Sequence, residues 1–512
     1  MSRHPSLAAT AAAALVLGAS PALADLTPAQ AWGALKGQFL SSGYTVTGTE
    51  TLSDGALVIE DATMSISFPL PEAEGTGAYA LDMGRIGFTA VGSDLVRVSF
   101  PPAIPMTLDL RGEDGEAINI GLTYSHQGLD MMLSGSPEAV QYAIGADLLA
   151  LELTEVLVDG DPVTREEIAV RMDFNGVTAQ NEQIPGDMTQ YTQSWAIDTV
   201  GMQVGFEIEE TKQAGNFDAV LSGVTLETDA IFPAMMDPTN IVAMLDNDMS
   251  ATMEFAYTGS TVTANLPSDF GPIQQTSQSG KGLMVFSLAD GTVGVATGSK
   301  DNRTELVGAG PMPSMSLAMD EASYNMSFPL VPSDTAKPFS LGVALRGLTI
   351  SDGIWDMLDP ARILPRDPAT FAMQVSGAAR LLVDISDPEE MARMEDGEIS
   401  PAELESLSLD ELTLSVAGAE MLGSGDFDFD WNDRDTFDGL PRPMGVVDVE
   451  VNGAQALIDN LIKLGLLSEE DALGARMMLT LFSVPGTGQD SLTSRIEVNE
   501  QGQVLANGMR VR

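Results

Sequence analysis

Short runs of alternating apolar and polar residues recur along the whole chain, and they narrow its fold more than any other feature. MTLDL (106–110), INIGLTY (118–124), FEIE (206–209), LTLSV (412–416) and VDVEV (447–451) each put apolar side chains on one side and polar ones on the other. A period of two is that of a strand with one face on a core and one in water, the common arrangement in antiparallel sheets. Glycine often closes these runs, as in LRG (110–112) and VNG (451–453), where a turn follows.

The acidic stretch GSGDFDFDWNDRDTFDG (423–439) obeys the same rule. As a calcium loop begun at Asp426 it fails, because its sixth position is Trp431 where Gly is needed and its twelfth is Phe437 where Glu is needed. Alternation instead sets Phe427, Phe429 and Trp431 against Asp426, Asp428 and Asp430, which predicts a strand with an aromatic core side and an acidic wet side. DGEISPAE (396–403) keeps the rear of a calcium loop in Gly397, Ile399 and Glu403, but Ala392 and Met394 stand where ligands must be. There, Ser400 before Pro401, with Glu403 three positions on, predicts a capped helix start.

Helical spacing appears in fewer places. Residues 28–40 carry Trp32, Leu35 and Phe39, and residues 137–153 open at Pro137 and carry Val140, Ile144, Leu148 and Leu151. A helical segment is expected over 453–482. Its first part, 453–466, aligns Leu457, Leu461 and Leu464; its second is capped by Ser468, with Asp471 in the third position, and runs through Phe482. The expected class is mainly β with packed helices (α+β).

Repetition adds to this. GVTLETDAIFPAMMDP (223–238) parallels GLTISDGIWDMLDP (347–360), and MSISFPLP (64–71) echoes YNMSFPLVP (324–332). Each of the first pair is a strand, an apolar helical turn and Asp-Pro, followed by a strand ending in Gly. The expectation is a long, curved, mostly antiparallel sheet built from two related halves, 25–305 and 306–512, after a signal peptide at 1–24.

That signal is read from Arg3 and His4, the apolar run LAATAAAALVLGAS, and the A-x-A ending at Ala24. The mature chain then starts at Asp25 and resides in the periplasm. No other stretch is long and apolar enough to span a bilayer. The chain lacks cysteine, so a conventional core has to hold an exported fold that could otherwise use disulfides. Its 24 Lys and Arg against 74 Asp and Glu give a net charge of −50. Such a field repels nucleic acid and anionic headgroups, which excludes both as direct partners.

The available chemistry is narrow. After the signal, His126 is the sole histidine, so zinc sites and a histidine-based metal centre lack ligands. His126 follows Tyr124 into a Gly turn, where a solvated strand-end histidine is expected rather than a general base. No G-x-S-x-G occurs, and Lys281 in SGKG is followed by Gly282, so the nucleophile elbow and the phosphate loop are both missing. Carboxylate pairs are too numerous to be informative. The 28 methionines, with pairs at 131–132, 235–236 and 477–478, fit core filling before a ligand-facing lining. No catalytic, cofactor or metal residue is assigned.

SFPLVPSDTAKPFSL (327–341), IWDMLDPARILPRDPATFAMQVSG (354–377), GSGDFDFDW (423–431) and the tail from Leu457 to Gly508 resemble the characteristic blocks of an uncharacterised bacterial family, domain of unknown function 2125. The resemblance implies an exported envelope protein, with a looser likeness to AsmA-type proteins whose curved sheets cradle lipid chains. No functional residues carry over from it. The first-ranked function is a non-enzymatic carrier or chaperone for an apolar, lipid-like ligand. A structural or protein-interaction component of the periplasm ranks second, and a carboxylate-based hydrolase third.

Overall fold

The computed structural model describes residues 26–70, 75–112, 116–164, 167–208, 211–233, 249–308, 314–384 and 387–512. The expected signal peptide and the Met235–Met236 pair lie outside them. Among these residues strand accounts for 66% and helix for 11%, so the fold is mostly β, and its strands form one large antiparallel sheet.

Helix α1 (Pro28–Ser41) comes first, as the 28–40 spacing predicts. Thr27 caps it: its hydroxyl accepts from the Gln30 N–H at 3.3 Å and the Gln30 side chain accepts from the Thr27 N–H at 3.0 Å. There follow β1 (Thr45–Ser53), β2 (Ala56–Leu70), β3 (Gly75–Val91), β4 (Leu95–Ser99), β5 (Ala103–Arg111), β6 (Ala117–Gln127), β7 (Asp130–Ser136), β8 (Ala139–Val158), β9 (Asp161–Pro162), β10 (Ile168–Ile184), β11 (Met188–Ile208) and β12 (Gln213–Pro233). Next are β13 (Ser250–Tyr257), β14 (Gly259–Leu266), β15 (Ile273–Ser279), β16 (Gly282–Ala289), β17 (Thr292–Val307), β18 (Met315–Pro329) and β19 (Lys337–Ile350). Helix α2 (Asp352–Leu358), β20 (Ala369–Leu381), α3 (Pro388–Glu395), β21 (Ala402–Val416), β22 (Ala419–Asp430) and β23 (Arg442–Asn452) precede the helix pair α4 (Ala454–Lys463) and α5 (Glu469–Phe482). The chain ends in β24 (Val484–Pro485), β25 (Ser491–Val498), β26 (Val504–Ala506) and β27 (Met509–Arg510).

The ladder is a meander with two forks. β3 carries β4 on its C-terminal part and β5 on its N-terminal part; β7 and β6 pair with these, and β8 collects both. β12 carries β13 and β14 in the same way, β16 and β15 pair with these, and β17 collects both. Between the forks run β10 and β11, and after the second fork β18 to β23 follow one another, with β17 pairing directly with β18.

Two expected helices are strands. Residues 139–158 form β8, and the alternation of Val140, Tyr142, Ile144 and Ala146 explains why. Asp147 then drops out of the ladder and the apolar phase moves to Leu149 and Leu151, so a broken period of two imitates helical spacing. Residues 402–416 form β21, and the Ser400 hydroxyl donates to the Ala402 carbonyl at 3.0 Å instead of capping a helix. Glu403 is taken by Arg380, its cross-strand neighbour. The helix pair at 453–482 is present, and the Ser468 hydroxyl accepts from the Asp471 N–H at 3.1 Å as the cap of α5.

The larger closed core lies at the amino-terminal end, and a smaller one gathers Ala230, Met249, Ala251 and Leu288. In the larger one α1 lays Trp32 and Leu35 on Ile59, Phe88, Val96 and Leu133, all at most 8% exposed. Trp32 and Phe88 meet with ring centroids 5.6 Å apart. The Trp32 indole N–H donates to Glu50 at 2.8 Å, which ties α1 to the edge strand β1.

Candidate ligand-binding face

Register separates the sheet into an apolar and a polar side. Directly opposed residues share a face. Trp195, Leu226, Phe255 and Met284 are successive partners from β11 to β16, and Tyr324, Val343, Met373 and Leu412 continue the row from β18 to β21, with Thr297 between. Two residues along, Met253, Phe286, Val295, Met326, Leu341 and Val375 form a parallel row. The adjoining register positions belong to the other face: Thr192, Asp229, Thr252, Ser287, Gly294, Ser327, Ser340 and Ser376.

The apolar side is only partly covered. Leu341 is 42% exposed, Met284 41%, Phe328 39%, Leu345 38% and Phe371 37%. These are neighbours on one face rather than scattered surface residues, and contiguous apolar exposure of that kind marks an interaction surface. With strands about 4.8 Å apart, the row from β11 to β21 extends for roughly 38 Å along the sheet.

A hollow of about 430 Å³ sits on this face where the strands kink. Asn175 pairs with Thr199 and Val177 with Ile197, so Gly176 and Asp198 drop out of the ladder between them. Asp147 on one side and Gly223 on the other drop out in the same line. Gly176 adopts φ 63, a left-handed backbone that glycine takes without a Cβ clash. Asp301 with Asp320 repeats the omission between β17 and β18. Across the line, same-face residues stand three apart: Phe174 and Val177, Ile197 and Val200, Leu221 and Val224. These six, with Leu149, Leu151, Trp195, Leu226 and Phe255, line the hollow, and Tyr124 closes it against the core. Burial pushes the Tyr124 hydroxyl pKa upward.

The polar side offers a second hollow of about 510 Å³ near Glu411, Asp448, Glu450 and Arg495. Its acids are engaged: Arg346 donates to both oxygens of Glu411 at 2.9 and 2.8 Å, and Arg495 pairs with Asp448 at 2.7 Å. Among the described residues no group of three or more His, Asp or Glu could hold a metal ion.

His126 sits at the end of β6 with Nε2 2.9 Å from the Pro101 carbonyl, beside Tyr124. Lys281 lies in the turn between β15 and β16, its carbonyl accepting from the Lys300 N–H. The acidic stretch is a strand: in β22, Phe427 and Phe429 are half-buried while Asp426 and Asp428 are exposed. The strand stops at Asp430, which pairs with Arg442 at 2.9 Å; Trp431 turns away and donates to the Leu404 carbonyl at 2.7 Å. Methionines occupy both interior and surface: Met131 is 8% exposed in the core, whereas Met477 and Met478 are 68% and 58% exposed on α5. In the block IWDMLDPARILPRDP, Arg366 pairs with Asp356 at 2.9 Å and stacks over Trp355. Asp359 is fully buried there; burial raises its pKa, and N–H donors from Ile363 and Leu364 outweigh that and lower it. That block is a packed knot.

The kink line was missed in sequence, although FNGV (174–177), LSGV (221–224) and LRGL (345–348) carry it as apolar residues three apart around a glycine.

No family model matches the chain, and no curated protein matches it. Among solved structures, the alcaligin outer membrane receptor FauA from Bordetella pertussis is similar over 90% of this chain and 69% of that chain, at 9% identity and a TM-score of 0.16. A likeness at that score carries no argument. No helix among the described residues is long and apolar enough to cross a membrane.

Proposed function

We propose that this chain is an exported, non-enzymatic envelope protein of the periplasm that shelters an apolar, lipid-like ligand on the apolar face of its sheet. The observation that carries it is the hollow of about 430 Å³ lined throughout by apolar and aromatic side chains and continuous with a partly covered apolar face. Its volume is within the range of ordinary small-molecule sites, roughly 300–1,000 Å³. Membership of the uncharacterised family that the sequence blocks resemble is part of the same proposal. So are a sheet curved at the kink line and an origin in related halves. The two forks, β3 to β8 and β12 to β17, support duplication, though both begin before residue 306.

A structural or protein-contact role is the second reading, favoured by α5, where Leu473, Met477 and Leu481 make an exposed stripe at helical spacing.

The test is displacement of an apolar fluorophore from delipidated protein, with mass spectrometry of what co-purifies from the native envelope. Binding is expected to saturate, and Leu226→Asp is expected to abolish it by placing a carboxylate in the hollow. Fluorophore binding unchanged by Leu226→Asp would sink the proposal. Cell fractionation and amino-terminal sequencing check export; the periplasmic form should begin at Asp25.

A further inference from the structure

At one end of the apolar face, on β8, β10 and β11, the side chains are polar without being charged. Tyr142 and Asn181 are direct cross-strand partners on β8 and β10, and Gln193 on β11 is the next partner in that row. Gln183 and Tyr191, one step along the same strands, face each other, with the Gln183 amide donating to the Tyr191 hydroxyl at 3.4 Å. The row of Tyr142, Asn181 and Gln193 is two residues from that of Ile144, Ala179 and Trp195, or about 7 Å along the strand. It therefore lies beside the wall of the apolar hollow, where the open face meets the core closed by α1.

Two polar atoms here are shielded and unpartnered among the described residues: the Tyr142 hydroxyl and the Asn181 Oδ1. Tyr142 is only 6% exposed. A buried donor or acceptor without a partner is costly, so a pair of them on facing residues needs a reason. On the opposite face of β8 and β10 the Gln141 amide donates to Glu182 at 2.9 Å.

We infer that Tyr142 and Asn181, with Gln193 beside them, form the head-group subsite for the ligand whose tail lies along Trp195, Leu226 and Phe255, and that this head group is an uncharged hydroxyl or amide. The inference rests on the apolar face being a ligand site. Tyr142 can donate and accept, Asn181 Oδ1 accepts, and none of Tyr142, Asn181, Gln183 or Gln193 carries charge at neutral pH. Burial, and then Tyr191, push the Tyr142 hydroxyl up to about 12, so it stays a neutral donor. A carboxylate or phosphate head would find no cation among Tyr142, Asn181, Gln183 and Gln193, in a shielded site on a chain whose net charge is −50. An alcohol or amide meets both orphan atoms without needing one.

The experiment uses the full exported chain, delipidated, with an apolar fluorophore displaced by dodecanol, dodecanoate or dodecane at pH 8. Dodecanol is expected to bind at least ten-fold more tightly than dodecanoate. Tyr142→Phe and Asn181→Leu should each weaken dodecanol about ten-fold, the loss of one good hydrogen bond, and leave dodecane unchanged. Without ligand, Tyr142→Phe should melt no lower than the parent, because it removes a shielded hydroxyl and leaves no cavity. Equal effects on dodecanol and dodecane, or a preference for dodecanoate, would overturn the subsite while leaving the apolar face intact. Absence of any fluorophore binding would overturn both.

Discussion

Gly176→Ala is the sharpest probe of the kink line, because the structure supplies each contribution to its cost. An L-residue held at φ 63 pays the left-handed penalty, roughly 1–2 kcal/mol. The added methyl would also stand 2.6 Å from Asp198 Cγ and 3.0 Å from Asp198 Cβ. The Cβ atom is fixed by its own backbone, so rotating the carboxylate away relieves only part of the clash, and overpacking adds roughly 1–3 kcal/mol. The total is about 3 kcal/mol. Asp198→Ala alone sits on the exposed side and should cost within about 0.5 kcal/mol. Combined with Gly176→Ala, it should return about 1 kcal/mol, because it removes Cγ and both oxygens from the contact. Gly37→Ala, inside α1 with open space around it, is the control and should stabilise by about 0.5–1 kcal/mol. Urea midpoints for the four variants, at constant slope, give the comparison. A Gly176→Ala protein as stable as the parent, or one that Asp198→Ala does not rescue, would refute a kink held by that glycine.

Three further outcomes are expected. Phe429→Ala in β22 should cost about 1.5–2 kcal/mol, below the value for a fully buried ring because Phe429 is half-buried, whereas the exposed Asp428→Asn should be neutral; chemical denaturation ranks them. Sodium chloride and calcium chloride at matched ionic strength should raise the melting temperature of this acidic chain alike, since diffuse screening needs no site; a saturable calcium isotherm lost in Asp428→Ala would contradict it. The Glu50 carboxylate accepts from the Trp32 indole and from Lys36, which lowers its pKa, so its contribution is present above the ordinary glutamate value, roughly 4.3, and fades as pH falls through the lowered one. Trp32→Phe should shrink that acid-side loss in a pH series of thermal melts.

What was legible in the sequence was local, and what was not is the consequence of one repeated irregularity. VDVEV and FDFD alternate without interruption, and both are strands within the stretches expected. α1, α4 and α5 could be found from apolar stripes at helical spacing, Trp32, Leu35 and Phe39 in the first and Leu457 and Leu461 in the second, with Ser468 marking the start of the third. β8 imitates a helix in sequence because its period of two slips by one at Asp147, and four such slips lie side by side on β8, β10, β11 and β12. A slip in one strand alone would turn its apolar residues toward water beyond that point. Slips in register preserve the face: Phe174 still lies with Val200 and Leu221, and Val177 with Ile197 and Val224. The feature that obscured the strand is therefore the one that keeps the apolar face continuous while each strand kinks. The candidate site was illegible for the same reason, because its residues are adjacent only across strands. Tyr142 and Asn181 are far apart in the chain, neither belongs to a motif, and only register brings them opposite each other.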